Sequence, residues 1–162
     1  MTLPRWPIAA LTVSALAVSG IAIHEGYRER AYDDGVGRLT IGFGSTTQAD
    51  GRAVTPADRT TPERALRRLA EHATDTERAL RACLPGDLAL AAHEWDAYVS
   101  LAYNIGAEAF CRSTLARKLR QSPPDYAGAC REILRWTRAG GRELAGLKRR
   151  RQAEYTQCVG AA

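Results

Sequence analysis

The chain has 162 residues, 45% of them hydrophobic and 25% charged, which is the usage of an ordinary globular protein with room for one domain and a real core. Such usage does not fit collagen-like repeats, a polytopic membrane protein or a wholly disordered chain. The net charge of +5 comes from 23 basic and 18 acidic residues, and among the basic ones only Lys118 and Lys148 are not arginine; a basic surface suits nucleic acid, anionic lipid or cell wall alike and names no partner.

In chain order, the first feature is Pro7 to Ile23, a run of 17 residues without a charge, preceded by Arg5 and followed by His24 and Glu25. As a helix it would be about 26 Å long, slightly short of a hydrocarbon core of about 30 Å. Alanines, Thr12, Ser14, Ser19 and Gly20 dilute its Leu, Val and Ile residues, and Ala15-Leu16-Ala17 supplies an A-x-A cleavage site. A membrane anchor and a cleavable signal peptide both send the rest of the chain out of the cytoplasm. A buried core helix of a cytosolic domain is the third reading.

From Asp33 to Asp58 the chain is punctuated by glycine and aspartate around short stretches such as Arg38 to Phe43, the pattern of a small hairpin sheet. Thr61-Pro62-Glu63 caps a helix that carries Ala65, Leu66, Leu69, Ala73 and Leu80 on one side and ends at Leu84-Pro85-Gly86. A second helix is predicted from about Leu88 to Ile105, stopping at Gly106. Ser113 caps a third through Leu119, and Pro123-Pro124-Asp125 opens a fourth through Trp136. Gly140-Gly141 separates the fourth from a last helix near Leu147 to Cys158. Trp95, Tyr98, Tyr103 and Trp136 stand at helical spacing and are read as core.

Cys83, Cys111, Cys130 and Cys158 are spaced 28, 19 and 28 apart, with no C-x-x-C pair, and His24, His72 and His93 lie away from them. No zinc or other metal site is expected. In an exported chain an even count reads as two disulfides. Of three connectivities, Cys83–Cys111 with Cys130–Cys158 is favoured, since each bond joins the ends of successive helical segments.

Acid and base chemistry has its best candidates beside the glycine-rich hairpin. Glu25 would close the first helix, Asp34 would enter the sheet, and Thr40 would lie on the following strand. Two carboxyls in different surroundings can hold opposite protonation states, as glycoside hydrolysis requires; acidic residues at turns are also simply solvated. The triad Glu25-x8-Asp34-x5-Thr40, set in His24-Glu25-Gly26-Tyr27 and Arg38-Leu39-Thr40-Ile41-Gly42-Phe43-Gly44, resembles the catalytic motif of the phage lysozymes, the endolysins of glycoside hydrolase family 24. The resemblance continues in Ala102 to Gly106, Phe110 to Leu115, Arg135 to Gly141 and Gly146 to Arg151, and covers nearly everything after residue 21. Asp33 would break the spacing, so the register selects Asp34. Ser45 departs from the pattern, because several relatives carry His there.

The resemblance implies an α+β, mainly helical, two-lobed lysozyme-like fold and cleavage of the β-1,4 bond between N-acetylmuramic acid and N-acetylglucosamine in peptidoglycan. Glu25 would be the general acid, and Asp34 with Thr40 would hold the attacking water on the opposite face, giving inversion. No cofactor is implied. Asn104 falls where the family meets the glycan, and Arg151 where a basic side chain can pair with the catalytic Glu. The plain structural reading of Asn104 is that it ends its helix before Gly106, and the run Lys148 to Arg151 reads mostly as a solvated face.

Residues 1–24 are read as a signal-anchor-release segment that becomes the first helix, built from about Ala15 to Glu25, and residues 25–162 as the catalytic domain. The protein would act as a monomer on glycan strands, first tethered to the inner membrane facing the periplasm and inactive, then free in the periplasm. A signal-peptide-secreted lysozyme is the nearest alternative. A nucleic-acid-binding module gains nothing from export, and a purely membrane-active peptide does not need so large a globular remainder.

Overall fold

The computed structural model describes residues 4–33 and 37–160. In chain order its elements are strand β1 (Trp6–Pro7), a 3₁₀ turn (Ile8–Ala10), helix α1 (Ala15–Glu25), strands β2 (Arg28–Asp33) and β3 (Leu39–Gly42), and helix α2 (Pro62–Cys83). Strand β4 (Ala89–Leu90) follows, then helices α3 (Ala92–Ile105), α4 (Ala107–Arg112), α5 (Thr114–Leu119) and α6 (Tyr126–Ile133), the hairpin β5 (Arg138–Ala139) and β6 (Arg142–Glu143), and helix α7 (Ala145–Cys158). They fall into two compact units: Val18–Ala73, and the residues up to 17 together with those from 74 on.

The β unit is built on the antiparallel pair β2–β3, with Tyr32 opposite Thr40, Asp33 opposite Leu39, and a register shift between Arg28 and Tyr32. The sheet thus begins at Arg28, five residues before the glycine and aspartate signals announce it, because the charged stretch Arg28-Glu29-Arg30 carries no turn residue to mark its start. Beyond β3 the chain is tied by one carboxylate. Asp58 receives two bonds from Arg52, at 2.9 and 2.7 Å, and others from the backbone N–H and hydroxyl of Thr55 at 2.7 and 3.0 Å. These donors favour the charged form and hold Asp58 well below the usual carboxylate range.

Helix α2 starts as its sequence asks, with Pro62 in the first turn and the Thr61 hydroxyl accepting from the Arg64 N–H at 3.3 Å. Its apolar side buries Ala65, Leu69, Ala73 and Leu80. In the helical unit, α3 is sheathed on nearly every side, Trp95, Tyr98, Val99 and Leu101 being fully buried. Phe110, Leu115, Leu119 and Ile133 complete that core, and the rings of Tyr98 and Phe110 lie 6.0 Å apart. Trp136 packs against it half-buried, and Tyr103 is also half-buried.

Four boundaries differ from the sequence reading. The run Pro7 to Ile23 is not one helix, since β1 pairs Trp6–Pro7 with Leu90–Ala89, whereas the helix itself spans Ala15–Glu25 as expected for the first helix of the fold. That pairing also takes Ala89 and Leu90 out of the predicted helix, so α3 begins at Ala92, where the Glu94 carboxylate accepts the Ala91 N–H at 2.8 Å. Helix α6 stops at Ile133, because Leu134, Arg135 and Trp136 bond back three residues and tighten into a 3₁₀ turn. Gly140-Gly141 is not merely a break; both residues have positive φ, which makes the tight turn of the β5–β6 hairpin. Helix α4, packed between Gly106 and Ser113, is short enough to leave no periodic signal. The α+β, mainly helical, lysozyme-like architecture is as expected.

Both disulfides form with the expected pairing: Cys83–Cys111 with Cα atoms 5.9 Å apart and Cys130–Cys158 at 5.7 Å. All four sulfurs lie in the helical unit. Each bond closes a loop of 28 residues. Replacing one pair by serine should cost about 2–4 kcal/mol in urea unfolding, and non-reduced peptide mapping should recover these two linkages.

Acid provides a separate test of the β unit. The pKa of Asp58 is lower folded than unfolded, so its contribution is complete above the unfolded value of about 4 and is lost as pH falls below it. Thermal unfolding of Asp58→Asn should therefore show less destabilisation on acidification below about pH 4 than wild type.

Candidate active site

Glu25 is the last residue of α1, where Gly26 turns the chain with a φ of 69° and returns its N–H to the Ala22 carbonyl at 3.0 Å. Its side chain is half-buried. It lies against the turn that leaves β3: a Cβ placed on Gly44 would sit 3.1 Å from Glu25 Oε2. That turn is drawn tight by a reciprocal pair of backbone bonds between Ile41 and Ser45, at 2.9 and 3.0 Å. Gly42 and Gly44 have φ of 67° and 84°, a region other residues rarely adopt. Phe43, between them, meets the ring of Tyr27 at 5.6 Å, and the Tyr27 hydroxyl donates to the Thr60 carbonyl at 2.8 Å. The carboxyl of Glu25 is thus flanked by backbone that has no side chain to spare.

Thr40, on β3, is buried, and its hydroxyl donates to the Arg38 carbonyl at 3.3 Å. Glu25 and Thr40 therefore belong to one unit, at the end of α1 and on β3. Asp34 lies outside the described residues; the chain reaches it directly after Asp33, the last residue of β2. Ser45, the position that departs from the family pattern, is buried and used through its backbone, so the side-chain change leaves the turn intact.

The other two expected site residues belong to the helical unit. Asn104 is exposed in the last turn of α3. Arg151 is fully buried on α7, its Nε 2.8 Å and its Nη2 3.1 Å from the Glu154 carboxylate. The same carboxylate takes Arg150 Nε at 3.1 Å and the Ser100 hydroxyl at 2.7 Å. The reading of this basic run as mostly a solvated face holds for Lys148 and Arg149 and fails for Arg150 and Arg151, because Glu154 stands at helical spacing to compensate both. Among the described residues no group of three His, Cys, Asp or Glu side chains is placed to hold a metal ion. Sequence reasoning passed over Gly44, whose positive φ leaves only the bare Gly42-Phe43-Gly44 spacing as a signal.

The family described as phage lysozyme matches residues 22–154. A SAR-endolysin of bacteriophage PS34 is 33% identical, over 94% of this chain and 91% of that protein. Among solved structures, an endolysin from Escherichia coli O157:H7 phage FAHEc1 superposes with a TM-score of 0.81 at 26% identity, covering 94% of this chain and 96% of that one. A variant of P22 lysozyme superposes with a TM-score of 0.77 at 31% identity, covering 92% and 99%.

Alanine at Gly44 would be strained by its φ and would press on the Glu25 carboxyl. Gly44→Ala should lower turnover by at least about tenfold, with an unchanged circular dichroism spectrum.

Proposed function

The chain belongs to the phage lysozyme family, and we propose that it is an endolysin that hydrolyses the β-1,4 bond between N-acetylmuramic acid and N-acetylglucosamine in peptidoglycan. The observation that carries this reading is Glu25 at the C-terminal end of α1, seated against the bare backbone of Gly44 next to the strand of Thr40, inside a family match that runs from residue 22 to 154. It is a lysozyme, a glycoside hydrolase, and the rest is our assignment of its parts.

Glu25 enters the reaction protonated and gives its proton to the glycosidic oxygen as the bond from that oxygen to the anomeric carbon breaks. Asp34 and Thr40 hold a water on the opposite face of the sugar, and its oxygen bonds to the anomeric carbon while its proton passes to Asp34. The anomeric configuration inverts, which asks for carboxyls about 6.5–9.5 Å apart, leaving room for that water. Asn104, exposed on α3, is assigned to substrate binding, whereas Arg151, fully buried against Glu154, has no surface to offer a glycan in this conformation. The chemistry calls for no metal or organic cofactor, and the protein works as a monomer.

Residues 1–24 act as a signal-anchor-release segment: the protein is exported uncleaved, tethered to the inner membrane and inactive, and then released into the periplasm with the segment as part of the fold. Among the described residues no helix is long and apolar enough to cross a membrane, and α1 has 11 residues. The tether is therefore a different conformation of the same stretch. Its traces are Leu16 and Ile23, both 80% exposed on α1, where a helix made only for water would carry polar side chains. The rival, a signal peptide cut after Ala17, would discard Ile8 and Leu11, which are 2% and 7% exposed in the core of the helical unit. Retention is the reading that keeps them.

Glu25→Gln should abolish release of muropeptides from purified wall while the protein stays folded, and proton NMR of the first product should show the inverted anomer. Wall cleaved at near wild-type rate by that variant would refute the assigned acid. Leucine at Ser19 and Gly20, where a Cβ on Gly20 meets nothing within 4 Å, should hold the protein in the membrane fraction and prevent lysis. A mature N-terminus following Ala17 on active periplasmic protein would rule out release.

A further inference from the structure

Of the four buried carboxylates of the helical unit among the described residues, all but Glu154 bond to the segment Arg5–Ser14. Glu77, Glu94 and Asp96 are 4%, 3% and 6% exposed. Glu94 takes Arg5 through Nε at 3.1 Å and Nη2 at 2.6 Å, while the Arg5 guanidinium lies 3.8 Å from the centre of the Tyr126 ring. Glu77 accepts the Val13 N–H at 2.6 Å, beside the Trp95 indole N–H at 2.8 Å. Asp96 accepts the Ser14 N–H at 2.8 Å with one oxygen and the Ser14 hydroxyl at 2.7 Å with the other. Arg81 reaches the same segment from α2, donating to the carbonyls of Ile8 and Leu11.

We infer that these carboxylates form a receiving site for residues 5–14 of the chain itself, and that Asp96 is a positioning residue for the general acid, because it fixes the residue at which α1 begins. The inference rests on the reading of Glu25 as that acid. The Ser14 hydroxyl, held by Asp96, accepts the Ala17 N–H at 3.1 Å and so caps α1. Glu25 is the last residue of the same helix. An isolated helix of this length is unstable in water, and Gly20 and the β-branched Val18, Ile21 and Ile23 weaken it further. A cap that is itself pinned by a charge supplies what its composition lacks.

The division of labour inside the site is also legible. Ile8 and Leu11 supply apolar burial, which has no direction and would tolerate a slip along the chain. The carboxylates supply direction: a guanidinium at position 5 and free N–H groups at 13 and 14 must arrive together, so only one register fits. Charge also keeps the empty site hydrated, since carboxylates without the segment face water. The unit can then wait with the site open and close it when the segment arrives.

The test uses full-length soluble protein, with kcat and KM on purified peptidoglycan and hydrogen exchange at the Ser14 and Ala17 amides. Asp96→Ala should raise exchange at both amides and lower kcat by at least about tenfold, while KM stays within about twofold. Asp96→Asn keeps an acceptor for the Ser14 N–H and should recover most of the rate. Wild-type kcat in Asp96→Ala overturns the inference, and so does a lost kcat with both amides still protected. If Asp96→Ala does not fold, Ser14→Ala decides: faster exchange at Ala17 with a lower kcat supports the inference, and a change in neither overturns it. Full activity in Glu25→Gln would instead remove the reading of the acid, while the exchange measurements would still report on the receiving site.

Discussion

Helix α1 must present Glu25 at its end while being made of residues that carry no charge for two and a half turns. Nothing in the stretch from Ala15 to Ile23 can form an ion pair or a salt bridge to hold the helix in place. Its holds include burial of Ala17 and Ile21 and the bonds made at its two ends. Gly26 closes the C-terminal end through the Ala22 carbonyl, and Ser14 caps the N-terminal end. Local composition thus makes the helix dependent on its surroundings, and the position of Glu25 inherits that dependence.

The helical unit meets this need by accepting charges into its interior. Buried carboxylates are costly unless fully bonded, yet Glu77, Glu94, Asp96 and Glu154 all lie below a tenth exposed. Each is met by donors from a different stretch of chain: Val13 and Trp95 for Glu77, Arg5 and Ala91 for Glu94, Ser14 for Asp96, and Ser100, Arg150 and Arg151 for Glu154. Since these donors are far apart in sequence, each carboxylate joins elements that apolar packing alone would leave free to slide. The two disulfides bind the same unit covalently. The β unit, without a disulfide, relies instead on the Asp58 knot.

Much of this was legible in the sequence, for definite reasons. The caps at Thr61, Ser113 and Asp125 mark helix starts because the side chains that bond the first N–H groups are local to the turn they serve. The cysteine pairing followed from spacing along successive helices. Glu25 at the end of α1 and Thr40 on β3 stand where the sequence puts them, while Asp34 lies outside the described residues. What could not be read were features that need a distant partner. Ala89 and Leu90 have the composition of a helix and become a strand only because Trp6 and Pro7 lie beside them. Arg150 and Arg151 look like solvated charge until Glu154 and Ser100 are brought to them. Glu77 and Asp96 read as ordinary polar positions of amphipathic helices, since nothing local announces that backbone N–H groups 64 and 82 residues away will need them.

The same long-range bonds bear on the proposed tethering of the N-terminal stretch. In lipid, a helix must satisfy its own backbone and gains nothing from outside donors or acceptors. In the folded protein, residues 5–14 are not helical beyond one 3₁₀ turn; they are extended, and their N–H and carbonyl groups are used by Leu88, Glu77, Asp96 and Arg81. The N–H groups of Val13 and Ser14 cannot be given both to a helical carbonyl and to Glu77 and Asp96. A membrane-spanning helix through Pro7 to Ile23 would therefore strip β4 of its partner, Glu94 of Arg5 and Asp96 of Ser14 at once. On the proposed reading, tethering and the folded start of α1 would exclude each other through hydrogen bonding itself, so that a tethered chain would not adopt the fold that carries Glu25.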